Sequence, residues 1–186
     1  MSTAVLWEPK LDVSPRWKAR IAGVFYVVTF VGGIYAMVNA DARVVANTIA
    51  TFAYYAVSYL LYDIYRPVNK TISAIAAAVS FGALTLGMLQ MFHLVPPFVN
   101  NLVLFGVYCL LLGYLTYKST FLPKLIGVLL AIGGIGWLTW ISPALVKVLE
   151  PYNMIPGMLG EGLLTLWLVA FGVDAERWSA MDRRTS

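Results

Sequence analysis

The chain has 186 residues, of which 60% are hydrophobic and only 12% are charged, with a formal net charge of +4. Soluble domains average about 25% charged residues, so this composition excludes an ordinary water-soluble domain. The charges stand in clusters and leave uncharged runs of about 20 residues, the length of a membrane-crossing helix. These runs lack the alternation of barrel strands, so we predict an all-α integral membrane protein.

The N-terminal segment, residues 1–19, is predicted to be irregular or interfacial because it is polar and holds two prolines and two tryptophans. Residues 1–18 contain no apolar stretch with a cleavage site, so we expect no signal peptide. A six-helix transmembrane bundle is predicted over residues 20–173, followed by a charged cytoplasmic tail, 174–186. The six predicted spans are residues 20–38, 42–65, 71–94, 98–117, 122–141 and 155–173.

Three local features refine this pattern. Asp41 is the predicted N-cap of the second span. Residues 144–150 lie between two prolines and are predicted to form a short interfacial helix. Asp63, near the end of the second span, is predicted to pair with Arg66 or Lys70 or to cap the next turn.

The basic residues predict the orientation. With six spans, eleven of the thirteen lysines and arginines fall on the side that holds both termini, and only Arg43 and Lys147 fall on the other. The positive-inside rule then places both termini in the cytoplasm. Because the basic residues are explained as topology signals, we predict no nucleic-acid partner.

Small residues predict where helices approach each other. Ala74, Ala78 and Gly82 recur every four residues on the third span, a spacing that favours close packing of a neighbouring helix. Gly23 and Gly127 are predicted to act in the same way on the first and fifth spans.

The sixth span carries Glu161 within an apolar run, at an insertion cost of roughly 3 kcal/mol. From the predicted topology, Glu161 lies one to two turns from the outer face. Polar side chains at the same predicted depth on other spans form a candidate ligand-binding set with Glu161: His93, Gln90, Asn101, Asn47 and Trp137.

Two interpretations of this polar set remain open. Polar side chains on facing helices stabilise bundles by hydrogen bonding, at about 0.6 kcal/mol each. Alternatively, Glu161 and His93 act as acid and base, as a proton relay or as ligand anchors. One histidine, one carboxylate and the single Cys109 give no metal-ligand pattern, so no metal and no cofactor are predicted.

Three apolar stretches together resemble a known family. They are residues 20–35 (RIAGVFYVVTFVGGIY), 121–137 (FLPKLIGVLLAIGGIGW) and 159–173 (LGEGLLTLWLVAFGV). In this order they resemble the bacterial membrane family catalogued as domain of unknown function 4386. The resemblance implies a six-span protein of the bacterial inner membrane with a Gly-Glu pair on its last helix, and it implies no activity.

The sequence favours a small accessory or binding subunit that recognises a membrane lipid, a lipid-like ligand or another membrane protein, or that forms a homo-oligomer. The alternative is a membrane-embedded enzyme acting on a lipid or isoprenoid, with Glu161 and His93 as acid and base. A small transporter is the third hypothesis. It ranks last because a transport path needs polar residues through the cytoplasmic half of the bundle, and the sequence has few there. With no complete catalytic set, the sequence leans away from an enzyme.

Overall fold

The computed structural model describes residues 14–96 and 100–185. Residues 1–13 of the predicted N-terminal segment, and residue 98 at the predicted start of the fourth span, lie outside these ranges. The described residues form eight α-helices and no strand. The helices are α1 (Pro15–Val38), α2 (Arg43–Tyr65), α3 (Lys70–Met91), α4 (Asn101–Lys118), α5 (Lys124–Leu138), α6 (Pro143–Leu149), α7 (Ile155–Ala170) and α8 (Ala175–Thr185).

Helices α1 to α5 have the length and hydropathy of membrane spans, α5 together with a 3-10 turn over Thr139–Ile141. Helix α7 has 16 residues and meets the same criteria only when it is counted with α8, from which it is bent by 105°. The prediction of an all-α, multi-pass membrane protein is therefore confirmed. The predicted short helix before the last span is also present, as α6.

The ends of the first two spans differ from the prediction for local reasons. Helix α1 begins at Pro15, because Ser14 accepts a hydrogen bond from the Trp17 N–H at 3.4 Å and proline suits the first helical position. The prediction that Asp41 caps α2 was wrong. The Asn39 side chain accepts the Ala42 N–H at 3.1 Å instead, which ties the turn to the end of α1.

The predicted tail forms a helix along most of its length. The Asp174 carboxylate accepts the N–H groups of Glu176 and Arg177, each at 3.1 Å, and so caps α8. The Trp178 indole donates to the Ile64 carbonyl at 2.8 Å and attaches α8 to the end of α2.

Six helices pack as a closed ring in chain order. Each contacts its predecessor from α1 to α5, α7 packs on α5, and α7 also packs on α1. Helix α7 therefore closes the ring. The interior is filled with large buried side chains, among them Tyr26, Tyr108, Leu112, Leu130 and Leu164.

Close approach at the two predicted glycines is confirmed. A Cβ atom on Gly23 would lie 2.7 Å from the backbone nitrogen of Val169, and one on Gly127 would lie 2.6 Å from that of Tyr117. Both glycines thus allow backbone to pack against backbone, of α1 on α7 and of α5 on α4.

The small-residue stripe of the third span is not used within the ring. Ala74, Ala78 and Gly82 are exposed on the outside of α3, so the prediction that they receive a neighbouring helix of the chain was wrong. The inward face of α3 carries Ser73 and Ser80 instead. Ser80 and Ser58 of α2 share a hydrogen bond of 2.7 Å, which fixes which face of α3 turns inward.

Helix α7 owes its position to Gly160. A Cβ atom there would lie 2.9 Å from the Leu129 carbonyl carbon of α5, whereas a Cβ atom on Gly162 would meet nothing within 4 Å. We therefore expect Gly160→Ala to destabilise the bundle by about 1–3 kcal/mol, the usual cost of overpacking. Gly162→Ala should be neutral or stabilising by up to about 1 kcal/mol, because alanine favours helix.

Thermal unfolding of the two variants in the same detergent tests this expectation. Both changes add one methyl group beside the same glutamate, so Gly162→Ala controls for the added volume. Equal unfolding temperatures for the two variants would contradict the packing described for Gly160.

Candidate functional site

Glu161 lies inside the helix ring, with 6% of its surface exposed. One of its carboxylate oxygens accepts two hydrogen bonds, from the Tyr54 hydroxyl at 3.4 Å and from the Cys109 thiol at 3.3 Å. Tyr54 belongs to α2 and Cys109 to α4, so the carboxylate of α7 joins three helices. Together with Tyr26, these residues are called the central polar cluster below.

Tyr26 extends the central polar cluster to a fourth helix. Its hydroxyl lies 3.0 Å from that of Tyr54, and its side chain on α1 is fully buried. A tyrosine hydroxyl has one proton to donate. Because Tyr54 donates to Glu161, Tyr26 must donate to Tyr54. The hydrogen bonds therefore run in one direction, from α1 through α2 to α7.

Aromatic rings surround this chain of hydrogen bonds. Tyr54 makes edge-to-face contacts with Tyr26 and Phe105, at centroid distances of 5.2 and 5.6 Å. Phe105 in turn lies edge-on to Trp137 at 5.8 Å. These rings pack around Tyr54, so the hydroxyl group that donates to Glu161 is held in a fixed position.

The predicted partner His93 lies elsewhere. It is exposed and follows the last turn of α3, with a backbone φ of 57° that histidine adopts more readily than most residues. Its own N–H donates to the Gln90 carbonyl at 3.0 Å, and the Leu94 N–H donates to the Leu89 carbonyl at 2.8 Å. This pair of bonds terminates α3. No hydrogen bond among the described residues joins His93 to Glu161.

The remaining predicted site residues are spread over the bundle. Gln90 is half-buried in the last turn of α3, and Asn47 is half-buried on α2. Asn101 begins α4, and its amide packs against Gly87 of α3. Trp137 is buried on α5 and connects to Glu161 through Phe105 and Tyr54. The structure thus brings Glu161 and Trp137 into one core, and the ligand-binding roles of the set stay predictions.

Tyr26, Tyr54 and Cys109 were not among the predicted site residues. Each lies near the midpoint of its helix, as Glu161 does, so the cluster occupies the middle of the bundle rather than its outer half. Position along the helix could have indicated these partners, because the midpoints of antiparallel spans lie at the same depth in the membrane. Depth counted from the loops places Glu161 too far outward, at the level of residues near helix ends.

The chemistry available to the cluster is hydrogen bonding and proton sharing. Among residues 14–96 and 100–185, no three His, Cys, Asp or Glu side chains lie close enough to hold a metal ion. The Asp63 carboxylate, near the end of α2, is paired. Its oxygens lie 2.6 Å from Lys18 of α1 and 3.9 Å from Arg66, so the predicted Arg66 pair is present and Lys18 is the closer partner.

Fold and site define an all-helical, multi-pass membrane protein that holds a buried carboxylate between its helices. A family model described as "Domain of unknown function (DUF4386)" matches residues 98–172. An uncharacterized protein of Archaeoglobus fulgidus is 34% identical over 125 residues, covering 62% of this chain and 75% of the relative. No solved structure matches. The chain belongs to the DUF4386 family, as the resemblance predicted.

The two hydrogen bonds of the Tyr54 hydroxyl, to Glu161 and from Tyr26, can be tested together by removing one oxygen atom. Tyr54→Phe should destabilise the protein by about 0.6 to 1.7 kcal/mol, the range measured for hydrogen bonds between membrane helices. Tyr59→Phe on the same helix is the matched control, because that side chain is 63% exposed. We expect Tyr59→Phe to leave the unfolding temperature unchanged. An equal loss in both variants would show that Tyr54 contributes no buried hydrogen bond.

Proposed function

We propose that the chain is a small accessory subunit that binds a lipid-like molecule within the membrane. It works as a six-span bundle of the bacterial inner membrane, with both termini in the cytoplasm. In this proposal the central polar cluster holds the bundle together, and ligand recognition takes place on the outer surface of the ring.

Two observations support the proposed six-span topology: the distribution of basic residues along the sequence and the place of α7 in the helix ring. Helix α7 occupies the sixth place in the ring, between α5 and α1. Its 16 residues are about 24 Å long, and residues 171–173 continue the apolar segment toward the full thickness of the bilayer core. Because α8 is bent by 105° from α7, it runs close to the bilayer plane, as interfacial helices do.

One observation carries the binding role: an apolar groove between α1 and α2. It has a volume of about 390 Å³, within the range of ligand sites, and lies between the second half of α1 and the first half of α2. Val28, Val31 and Tyr35 form one wall, and Val45 and Ile49 form the other. Val31 and Val45 are exposed, so the groove opens away from the ring interior.

The composition of the groove selects the class of ligand. Its walls offer aliphatic side chains and the ring of Tyr35, and a polar substrate would lose its hydration there without gaining partners. A hydrocarbon or isoprenoid chain has no hydrogen bonds with water to lose on entering the groove, so it is the occupant that we propose. Helices of another membrane protein, or of a second copy, are the competing occupants.

A bulky side chain in the groove tests the proposal. Val31→Trp should displace the bound molecule and lower its yield per mole of purified protein at least severalfold, as measured by mass spectrometry of the organic extract. Ile135→Trp on α5 is the matched control, because the two side chains are 61% and 62% exposed and only Val31 lines the groove. Equal yields from the wild type and both variants would contradict the groove as the site.

Native mass spectrometry after mild extraction identifies the occupant. A lipid-like adduct that Val31→Trp removes supports the proposal. A stoichiometric second protein removed by the same change would assign the groove to an accessory contact with that protein. A dimer removed by the change would assign it to a second copy of this chain.

The enzyme alternative makes a separate prediction. An acid–base role needs Glu161 and His93 within reach of one substrate, but Glu161 is buried and His93 lies past the end of α3. We expect Glu161→Gln, which keeps an acceptor for Tyr54 and Cys109, to leave the cellular phenotype intact. His93→Gly should stabilise the chain by up to about 1 kcal/mol, because glycine adopts a positive φ without strain.

Growth of a deletion strain complemented with each variant measures the phenotype. The wild-type gene and an empty vector set the two limits of this assay. Loss of complementation by both Glu161→Gln and His93→Gly, with folded protein present at normal levels, would favour the enzyme over the binding subunit.

A further inference from the structure

A second cavity lies at the other end of α1, far along the helix from the apolar groove. It has a volume of about 320 Å³ and is formed by the start of α1 and the corner between α7 and α8. Arg16, Arg20, Trp167, Phe171 and Asp174 line it. We propose that this cavity, called the basic pocket below, binds the phosphate of an anionic phospholipid headgroup.

Arg20 supplies the first argument, because among the described residues one hydrogen bond of its guanidinium group is found. One guanidinium nitrogen donates to the Ala170 carbonyl at 3.2 Å, at the end of α7. The Nε atom is buried and has no hydrogen-bond partner among the described residues. Arginine has five N–H donors in a planar fork that matches a phosphate group, and an unpaired buried donor is costly.

The charge balance of the basic pocket supplies the second argument. The ion pairs found among the described residues join Lys18 and Arg66 to Asp63, and Arg177 to Asp174. Neither Arg16 nor Arg20 takes part in them. Among residues 14–96 and 100–185, Asp174 is the acidic side chain that lines the pocket, and Arg177 balances it at 3.3 Å. Within this part of the chain, Arg16 and Arg20 have no carboxylate partner and are available to an anion.

The surroundings favour a lipid over a free anion. The rings of Trp167 and Phe171 lie at a centroid distance of 4.6 Å, tilted by 41°, and form an aromatic wall. The Arg20 guanidinium lies 5.6 Å from the centre of the Trp17 ring. Aromatic residues of this kind mark the headgroup level of a bilayer. In the proposed topology the pocket faces the cytoplasmic leaflet, whose anionic lipids attract basic residues.

The backbone around the basic pocket is closely fitted. Gly172 ends α7 with a φ of 69°, and a Cβ atom there would lie 2.8 Å from the Arg16 carbonyl oxygen. The corner between α7 and α8 therefore rests directly on the first turn of α1. The two arginines are presented from a turn that this contact holds in place, so the pocket is formed before a ligand arrives.

The test measures lipid selectivity of the full chain in detergent by native mass spectrometry. Phosphatidylglycerol and zwitterionic phosphatidylcholine are titrated against the wild type and an Arg16→Gln/Arg20→Gln variant. We expect the wild type to prefer phosphatidylglycerol. The variant should bind it about thirtyfold more weakly, which equals about 2 kcal/mol for two basic residues. Binding of phosphatidylcholine should not change.

Two controls keep the result specific. Lys70→Gln/Lys118→Gln removes the same charge from exposed residues that do not line the pocket, and it should keep the preference. Arg16→Gln alone changes an exposed side chain and should show part of the loss even if the Arg20 change perturbs folding. A thiol-reactive dye reports folding directly, because the only cysteine, Cys109, is buried.

The outcomes separate this inference from the proposed function. No preference for phosphatidylglycerol, or an equal loss in the pocket and lysine variants, would overturn the basic pocket. Displacement of the lipid by millimolar inorganic phosphate would assign the pocket to a free anion and overturn the lipid. Val31→Trp leaves the pocket intact and should keep the preference, so failure of the groove and failure of the pocket are seen independently.

Discussion

A carboxylate inside an apolar ring of helices needs hydrogen-bond donors from the protein, because burial removes most of its hydration. Glu161 finds two of them, on α2 and α4, and Tyr26 on α1 supports the first. These bonds are possible only if four helices stand at fixed heights relative to each other. Gly160 brings α7 against the α5 backbone and so sets the height at which Glu161 faces its donors. The closed ring and the central polar cluster therefore require each other.

The interior and the outer surface of the bundle therefore differ in role. The interior holds aromatic rings and the central polar cluster, in which one carboxylate oxygen of Glu161 accepts two hydrogen bonds. The two cavities considered as ligand sites both lie on the outside of the ring, and both use α1 as a wall. In the proposed function, recognition at the helix surface would combine a packed interior with an accessible site.

The spans and the helical class could be predicted from the sequence because apolar length and clustered charge are local properties of a segment. Family membership followed from the order of three such segments. Helix ends were less predictable, since competing caps differ by little. Asn39 rather than Asp41 ties the first turn, and His93 terminates α3 with a positive φ that histidine tolerates but adopts only in some contexts.

The partners of Glu161 could not be read from residue type either. Tyr54 and Cys109 occur in apolar runs, where tyrosine and cysteine are more often packing residues, and only the ring order brings them to one carboxylate. The stripe of Ala74, Ala78 and Gly82 fails for the same reason. Its spacing permits close packing, but the pairing of Ser80 with Ser58 decides which face of α3 turns inward.

The contacts of α1 distinguish its two ends. Its first half is held by polar and backbone contacts: Lys18 pairs with Asp63, Arg20 donates to Ala170, and Gly23 lies against Val169. Its second half, which lines the apolar groove, is held to α2 mainly by apolar contact and by the Thr29 hydroxyl bond to the Ala50 carbonyl at 3.2 Å. Gly32 lets the two helices approach closely there, since a Cβ atom would lie 3.2 Å from the Ala46 carbonyl oxygen. Apolar contacts are not directional, so the groove would accept a hydrocarbon chain by shape and not by charge. A ligand in the groove would therefore be selected by fit along the helix, and one in the basic pocket by charge at a preformed position.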